Sequence, residues 1–145
     1  MNILFSVLAA VGLTGSPGPE FEMTRLEKAV HHVESGGRIG PDIYGDNGNA
    51  IGPLQIWKSC WKDAVQHDPS IGGHYEMCHD LEYSCLIFRA YMDRYAVERR
   101  LKRVPTDEDR ARIWNGGPNG YKKKATDKYW RKVKERLNDS SESLG

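Results

Sequence analysis

Hydrophobic and polar positions along this chain repeat with a period that changes from segment to segment, and the changes mark its elements. Leu26, Ala29, Val30 and Val33 fall on one stripe at helical spacing. Thr24-Arg-Leu-Glu27 forms a capping box, in which hydroxyl and carboxylate each satisfy an orphan amide of the first turn. Gly36-Gly37 stops the helix and leaves Glu34 at or near its last residue. From Arg38 to Asn49 the helical period disappears into turns. Asp46-Asn-Gly-Asn49, between Ile43-Tyr44 and Ala50-Ile51, predicts a hairpin tip with two or three short strands around it. Pro53 to Gln66 predicts a short helix led by proline, with Trp57 and Trp61 on one face. Asp68 to Gly73 predicts a loop.

A long helix is predicted over Cys78 to Arg100. Leu81, Cys85, Phe88, Met92 and Tyr95 make its buried stripe, and its last turn is basic, as the helix dipole prefers. Thr106-Asp-Glu-Asp109 opens another helix that ends near Trp114. Asn115-Gly-Gly-Pro-Asn-Gly120 reads as a loop. Thr126 is expected to cap a final helix with Trp130, Val133 and Leu137 inward and lysines outward. The expected organisation is a segment over 1–21 outside the fold, one domain over 22–138, and a disordered tail over 139–145. Within 1–21, Ile3 to Leu13 is an apolar run of export-signal length but lacks a basic start. Gly15 to Phe21 resembles a linker or cloning scar.

At 145 residues with 39% hydrophobic and 28% charged side chains, the chain has the makings of one soluble domain with a real core. The net charge of +1 conceals an asymmetry: residues 91–137 carry 15 Lys and Arg against 7 Asp and Glu. A basic C-terminal half attracts an anionic partner, although a solvated helix face gives the same pattern. Cys60, Cys78 and Cys85 are too few for a disulfide framework, and their spacing with His74 and His79 fits no zinc pattern. No metal or cofactor is expected, and no motif for nucleic-acid binding is present. No apolar run is long enough to predict a transmembrane span.

Two carboxylates stand on different supports. Hydrolysis of a glycosidic bond needs such a pair: a protonated acid for the leaving oxygen and an ionised carboxylate for the carbon. Their separation is about 5–5.5 Å in retaining enzymes and about 6.5–9.5 Å in inverting ones. Glu34, at the end of a hydrophobic helix, suits the acid, because burial and the helix C-terminus both disfavour its anion. Asp46, in a turn rich in backbone amides, suits the carboxylate. Each alone has a plainer explanation, as a helix-end residue and a turn former.

Val33-Glu-Ser-Gly-Gly37, Gly52-Pro-Leu-Gln-Ile56, Ala90-Tyr-Met-Asp-Arg-Tyr-Ala96, Asn115-Gly-Gly-Pro-Asn-Gly120 and Tyr129-Trp130 follow in this order. The series resembles the invertebrate-type lysozymes, the destabilase family, over about residues 26–137. The resemblance implies an α+β, predominantly α-helical, lysozyme-like fold with a small β-hairpin region. It also implies muramidase action on bacterial peptidoglycan by a retaining mechanism, with Glu34 as acid and Asp46, twelve residues on, as nucleophile. Asp42 is a nearer rival that misses the offset. Gln55, Tyr91 and Asn115 are expected to line the cleft and bind substrate, since sugar sites combine amides with aromatic faces; core packing explains each of them as well.

The chain departs from the family in two ways. Family members are usually secreted and dense in disulfides, and here most of those cysteines are missing, so an extracellular location is expected but the redox compartment stays open. Some members also cleave isopeptide bonds, a capacity attributed to serines after the Asp and a His before Asn-Gly-Gly. Asn49, Ile51 and Trp114 stand in those places, so no isopeptidase activity is expected. The rival readings are a lytic transglycosylase working with Glu34 alone and a catalytically silent wall-binding module.

Overall fold

In the computed structural model, which describes Gly15 and residues 17–143, helix α1 spans Arg25–Ser35. Its capping box is formed: Glu27 N donates to Thr24 Oγ1 at 3.2 Å, and Thr24 N donates to Glu27 Oε2 at 2.9 Å. Glu27 is buried and does a second job. Arg89, from a helix 62 residues away, donates Nε and Nη2 to its two oxygens at 2.6 and 2.8 Å. The same guanidinium donates to Glu22 O at 2.9 Å and lies over the Phe21 ring. Phe21, expected to fall outside the fold, therefore packs against the core. Gly15 and residues 17–20 are exposed and in neither helix nor strand, and the remainder of the N-terminal expectation falls on residues 1–14 and 16, outside the described residues.

Three two-residue strands follow, β1 (Tyr44–Gly45), β2 (Ala50–Ile51) and β3 (Ile56–Trp57), in one antiparallel sheet of order β1-β2-β3. Tyr44 pairs with Ile51, and Ile51 with Ile56. The tip between β1 and β2 is a tight turn over Asp46–Gly48, as expected. The turn after β2 differs from the expected proline-led helix. Gln55 N donates back to Gly52 O and Gln55 adopts a left-handed φ of 52°, so residues 53–55 reverse the chain into β3. Helix α2 starts only at Lys58 and runs to His67. Gly52 sits where the sheet meets the 3-10 turn Tyr75–His79; a Cβ there would lie 1.8 Å from Cys78 O.

Helix α3 (Leu81–Tyr95) is the central support. It begins three residues later than the sequence suggests, because Asp80 caps it by accepting from Tyr83 N at 2.8 Å. It also ends earlier. Ala96 leaves helical geometry, a short helix α4 (Glu98–Leu101) follows, and Arg100 Nη1 donates to the freed Tyr95 O at 2.7 Å. The predicted stripe is inside, with Cys85, Phe88 and Met92 buried. The buried face is wider than one stripe, however, because α2 and α5 (Asp107–Gly116) pack on it from different sides.

Helix α5 opens on a second capping box, Thr106 with Asp109, and Asp109 also pairs with Arg103. Helix α6 (Asp127–Glu142) packs on α1 and α5, with Val133 fully buried. Thr126 does not cap it. The Thr126 hydroxyl is buried, 2.8 Å from the Gly120 and Lys123 carbonyls, and accepts from Arg112 Nε at 2.9 Å. The helix also continues into the span expected to be a disordered tail. Arg25 Nη2 donates to Leu137 O at 2.8 Å, and the Ser140, Ser141 and Ser143 hydroxyls bond back to carbonyls one turn earlier. The architecture is α+β and mostly helical, with Val30, Leu54, Ile56, Ile87, Ile113 and Val133 at its centre. All three cysteines are unbridged. Among the described residues no helix is long and apolar enough to cross a membrane.

Candidate active site

The end of α1, the hairpin tip, the β2–β3 turn and the end of α5 converge on one cleft of about 430 Å³. Glu34, Asp46, Gln55 and Asn115 line it, together with Ala50, Ile56, Trp57, Cys60 and Trp114. Asp42, the rival carboxylate, is exposed and not part of the lining.

Glu34 is the next-to-last residue of α1 and is half-buried. Tyr129, in the first turn of α6, donates its hydroxyl to Glu34 Oε1 at 2.8 Å. Two effects therefore oppose each other at this carboxyl. Loss of water raises its pKa, and the Tyr129 hydrogen bond, which favours the anion, lowers it. Desolvation wins, and the pKa is pushed up from 4.5 to about 7. Burial beside the Glu34 charge holds the Tyr129 phenol well above its ordinary range, so Tyr129 stays protonated and remains a donor.

Asp46 stands in contrast. It is exposed to water at the hairpin tip, with a left-handed φ of 53°. Asp tolerates that region better than most residues, because its short polar side chain can bond locally. A Cβ at Gly45 before it would lie 1.8 Å from Gln55 Oε1, so a side chain there would displace the Gln55 amide. Gln55 in turn donates Nε2 to Gly52 O at 3.0 Å. Gln55 thus lines the cleft and lies against β1 immediately before Asp46. Asn115 is exposed at the end of α5, inside the helix rather than in the expected loop.

Tyr91 does not line the cleft. It is buried, with its ring edge-on to Tyr95 at 4.8 Å and to Trp114 at 5.8 Å. It lay off the predicted stripe, but α3 is covered on more than one side. The tryptophans divide. Trp61 is internal, donating Nε1 to the Tyr83 hydroxyl at 2.9 Å, and Trp130 packs on the core. Trp57 and Trp114 line the cleft. Cys60 lines it as well, but burial pushes its thiol up, which removes the thiolate a nucleophile needs. His31 is buried with Nε2 2.7 Å from Arg38 O, and His32 is exposed.

The sequence reasoning missed Tyr129, Trp57, Trp114 and Cys60 as site residues. Tyr129 had a readable signal, since it stands four residues before Val133 and eight before Leu137 on the inward stripe of α6. Among the described residues, no three His, Cys, Asp or Glu side chains group so as to hold a metal ion.

The profile of the family described as destabilase matches residues 32–136. Lysozyme 1 of Crassostrea virginica is 36% identical over 107 residues, covering 73% of this chain and 55% of that protein. The lysozyme of Ostrea edulis is 36% identical over 87 residues, covering 59% of this chain and 58% of that protein. The chain thus spans little more than half the length of these two relatives. The crystal structure of Tapes japonica lysozyme superimposes with a TM-score of 0.65 at 28% identity, covering 78% of this chain and 89% of that one. Matched in sequence over most of its length and in fold over the same region, the chain belongs to the destabilase family, the invertebrate-type lysozymes.

Proposed function

We propose that this protein is a lysozyme that hydrolyses the β-1,4 bond between N-acetylmuramic acid and N-acetylglucosamine in bacterial peptidoglycan. The observation that carries the reading is a half-buried Glu34 with its pKa raised to about 7, in the same cleft as a water-exposed Asp46. Two carboxylates in opposed environments are the established requirement of retaining glycosidases, lysozymes among them. Glu34, still partly protonated at neutral pH, gives its proton to the leaving oxygen. Asp46 attacks the anomeric carbon and forms a glycosyl-enzyme ester. Water, deprotonated by Glu34, then hydrolyses that ester with net retention. Tyr129 holds Glu34 in place throughout, and Gln55 lies against Gly45, the residue before Asp46. Neither step calls for a cofactor.

A lytic transglycosylase manages with one acid and releases anhydro-muramic ends, and the second carboxylate in the cleft favours hydrolysis over that route. Trp114 and Ile51, where an isopeptidase would need a base and a nucleophile, leave glycan cleavage as the activity. The exposed lysines of α6, among them Lys128, Lys132 and Lys134, give the outer face a charge that suits anionic wall polymers. A secreted enzyme would meet such a substrate. The test is mass spectrometry of digested peptidoglycan. Reducing muramic ends are expected, with at least about a hundredfold loss in Glu34→Gln and in Asp46→Asn at unchanged circular dichroism. Anhydro ends would replace hydrolysis with transglycosylation, and full activity in Asp46→Asn would remove the nucleophile.

A further inference from the structure

Trp57 is the one large aromatic side chain of the cleft that the fold does not claim. Strand alternation in β3 turns Ile56 into the core and Trp57 outward, and Trp57 is 45% exposed. The internal place next to it is taken by Trp61, packed on Tyr75 and bonded to Tyr83. Trp114 is the opposite case. Its ring is held edge-on by Phe88 at 4.9 Å and by Tyr91 at 5.8 Å, so the part that reaches the cleft is rigid. One groove therefore offers two indoles among amides and carboxylates.

That mixture suits a particular ligand shape. A β-linked glucosamine ring has hydroxyl and acetamido groups around its rim and C–H bonds on its faces. The rim needs hydrogen-bond partners, and the faces gain most against a flat apolar surface. We propose that Trp57 is a stacking platform for one ring of a β-1,4-linked N-acetylhexosamine chain, with Trp114 the fixed aromatic wall of the same groove. The proposal rests on the glycosidase reading and adds a determinant of glycan affinity to it. Trp57 holds substrate; it takes no part in proton transfer or attack.

The test is calorimetric titration of a soluble N-acetylglucosamine tetramer into the full chain carrying Glu34→Gln, which binds without turnover. Adding Trp57→Ala is expected to weaken binding about tenfold, the loss of one good anchor. Trp57→Tyr, which keeps a flat ring, is expected to restore most of the affinity. In the active enzyme, Trp57→Ala raises KM and leaves kcat nearly unchanged. Circular dichroism and melting temperature stay the same, because half of the ring is already in water. Equal affinity with and without Trp57→Ala overturns the platform and leaves the glycosidase intact. No binding by the Glu34→Gln protein also overturns it, and lysis of peptidoglycan by the unmutated chain then decides whether the glycosidase reading falls too.

Discussion

Glu34→Gln is expected to stabilise the folded protein above neutral pH while removing its proposed catalysis. The carboxyl titrates at 4.5 under ordinary conditions and at about 7 in the fold. Between those values the folded state holds a proton that the unfolded chain has released, so stability falls as pH rises through the window. The sign is opposite to that of a salt-bridged carboxylate, whose folded pKa is lowered. A shift of this size removes about 0.2 kcal/mol at pH 4, about 2 kcal/mol at pH 6 and about 3 kcal/mol at pH 8. Gln has the same shape, can still accept from Tyr129, and never ionises, so the variant escapes the loss. Urea unfolding of both proteins at the three pH values reads the difference between them. A constant offset from replacing an oxygen by an amide nitrogen cancels, and only the change with pH matters. A gap that widens by about 3 kcal/mol from pH 4 to pH 8 supports the reasoning. A gap that stays flat, or narrows, refutes it: Glu34 would then ionise as easily in the fold as in water, and its burial would have no electrostatic consequence.

Three further perturbations test the supports of the site. Tyr129→Phe deletes the hydrogen bond that favours the Glu34 anion, so the carboxyl pKa rises and the alkaline limb of the pH–activity profile moves up with it; a limb that moves down would mean Tyr129 stabilises the acid form. Glu27→Gln breaks the ion pair between buried Glu27 and partly exposed Arg89 and weakens the α1 capping box, at a cost of about 2 kcal/mol in chemical denaturation; a loss below about 0.5 kcal/mol would make both contacts incidental. Gly52→Ala places a Cβ against Cys78 O at a φ of +77°, and is expected to unfold or displace the sheet and lower activity and melting temperature together; normal values of both would show that the sheet yields without loss.

Local signals were enough for the elements that local chemistry decides. The Thr24–Glu27 box, the Gly36 stop and the Asp46–Gly48 tip appear where the residues place them, and a helix end twelve residues from a hairpin tip is what brings Glu34 and Asp46 to one cleft. Several of the misreadings are decisions taken by tertiary contacts. Tyr91 is off the single stripe of α3, but that helix is packed from two directions, and no periodicity in its own sequence says so. Trp57 and Trp61 have helical spacing, yet pairing of Ile51 with Ile56 keeps Trp57 in a strand and sends it to the cleft. Tyr129 meets Glu34 across 95 residues of chain. Phe21 is bound into the fold by an arginine whose partners lie 62 and 67 residues away.

Carbon-detected NMR of the Glu34 side-chain carboxyl, followed across pH, tests the central claim without reference to any substrate. A midpoint near 7, moving upward in Tyr129→Phe, is the expected result. A midpoint near 4.5, unchanged in that variant, would mean Glu34 ionises as it does in water and the cleft holds no acid fit to protonate a leaving sugar at neutral pH.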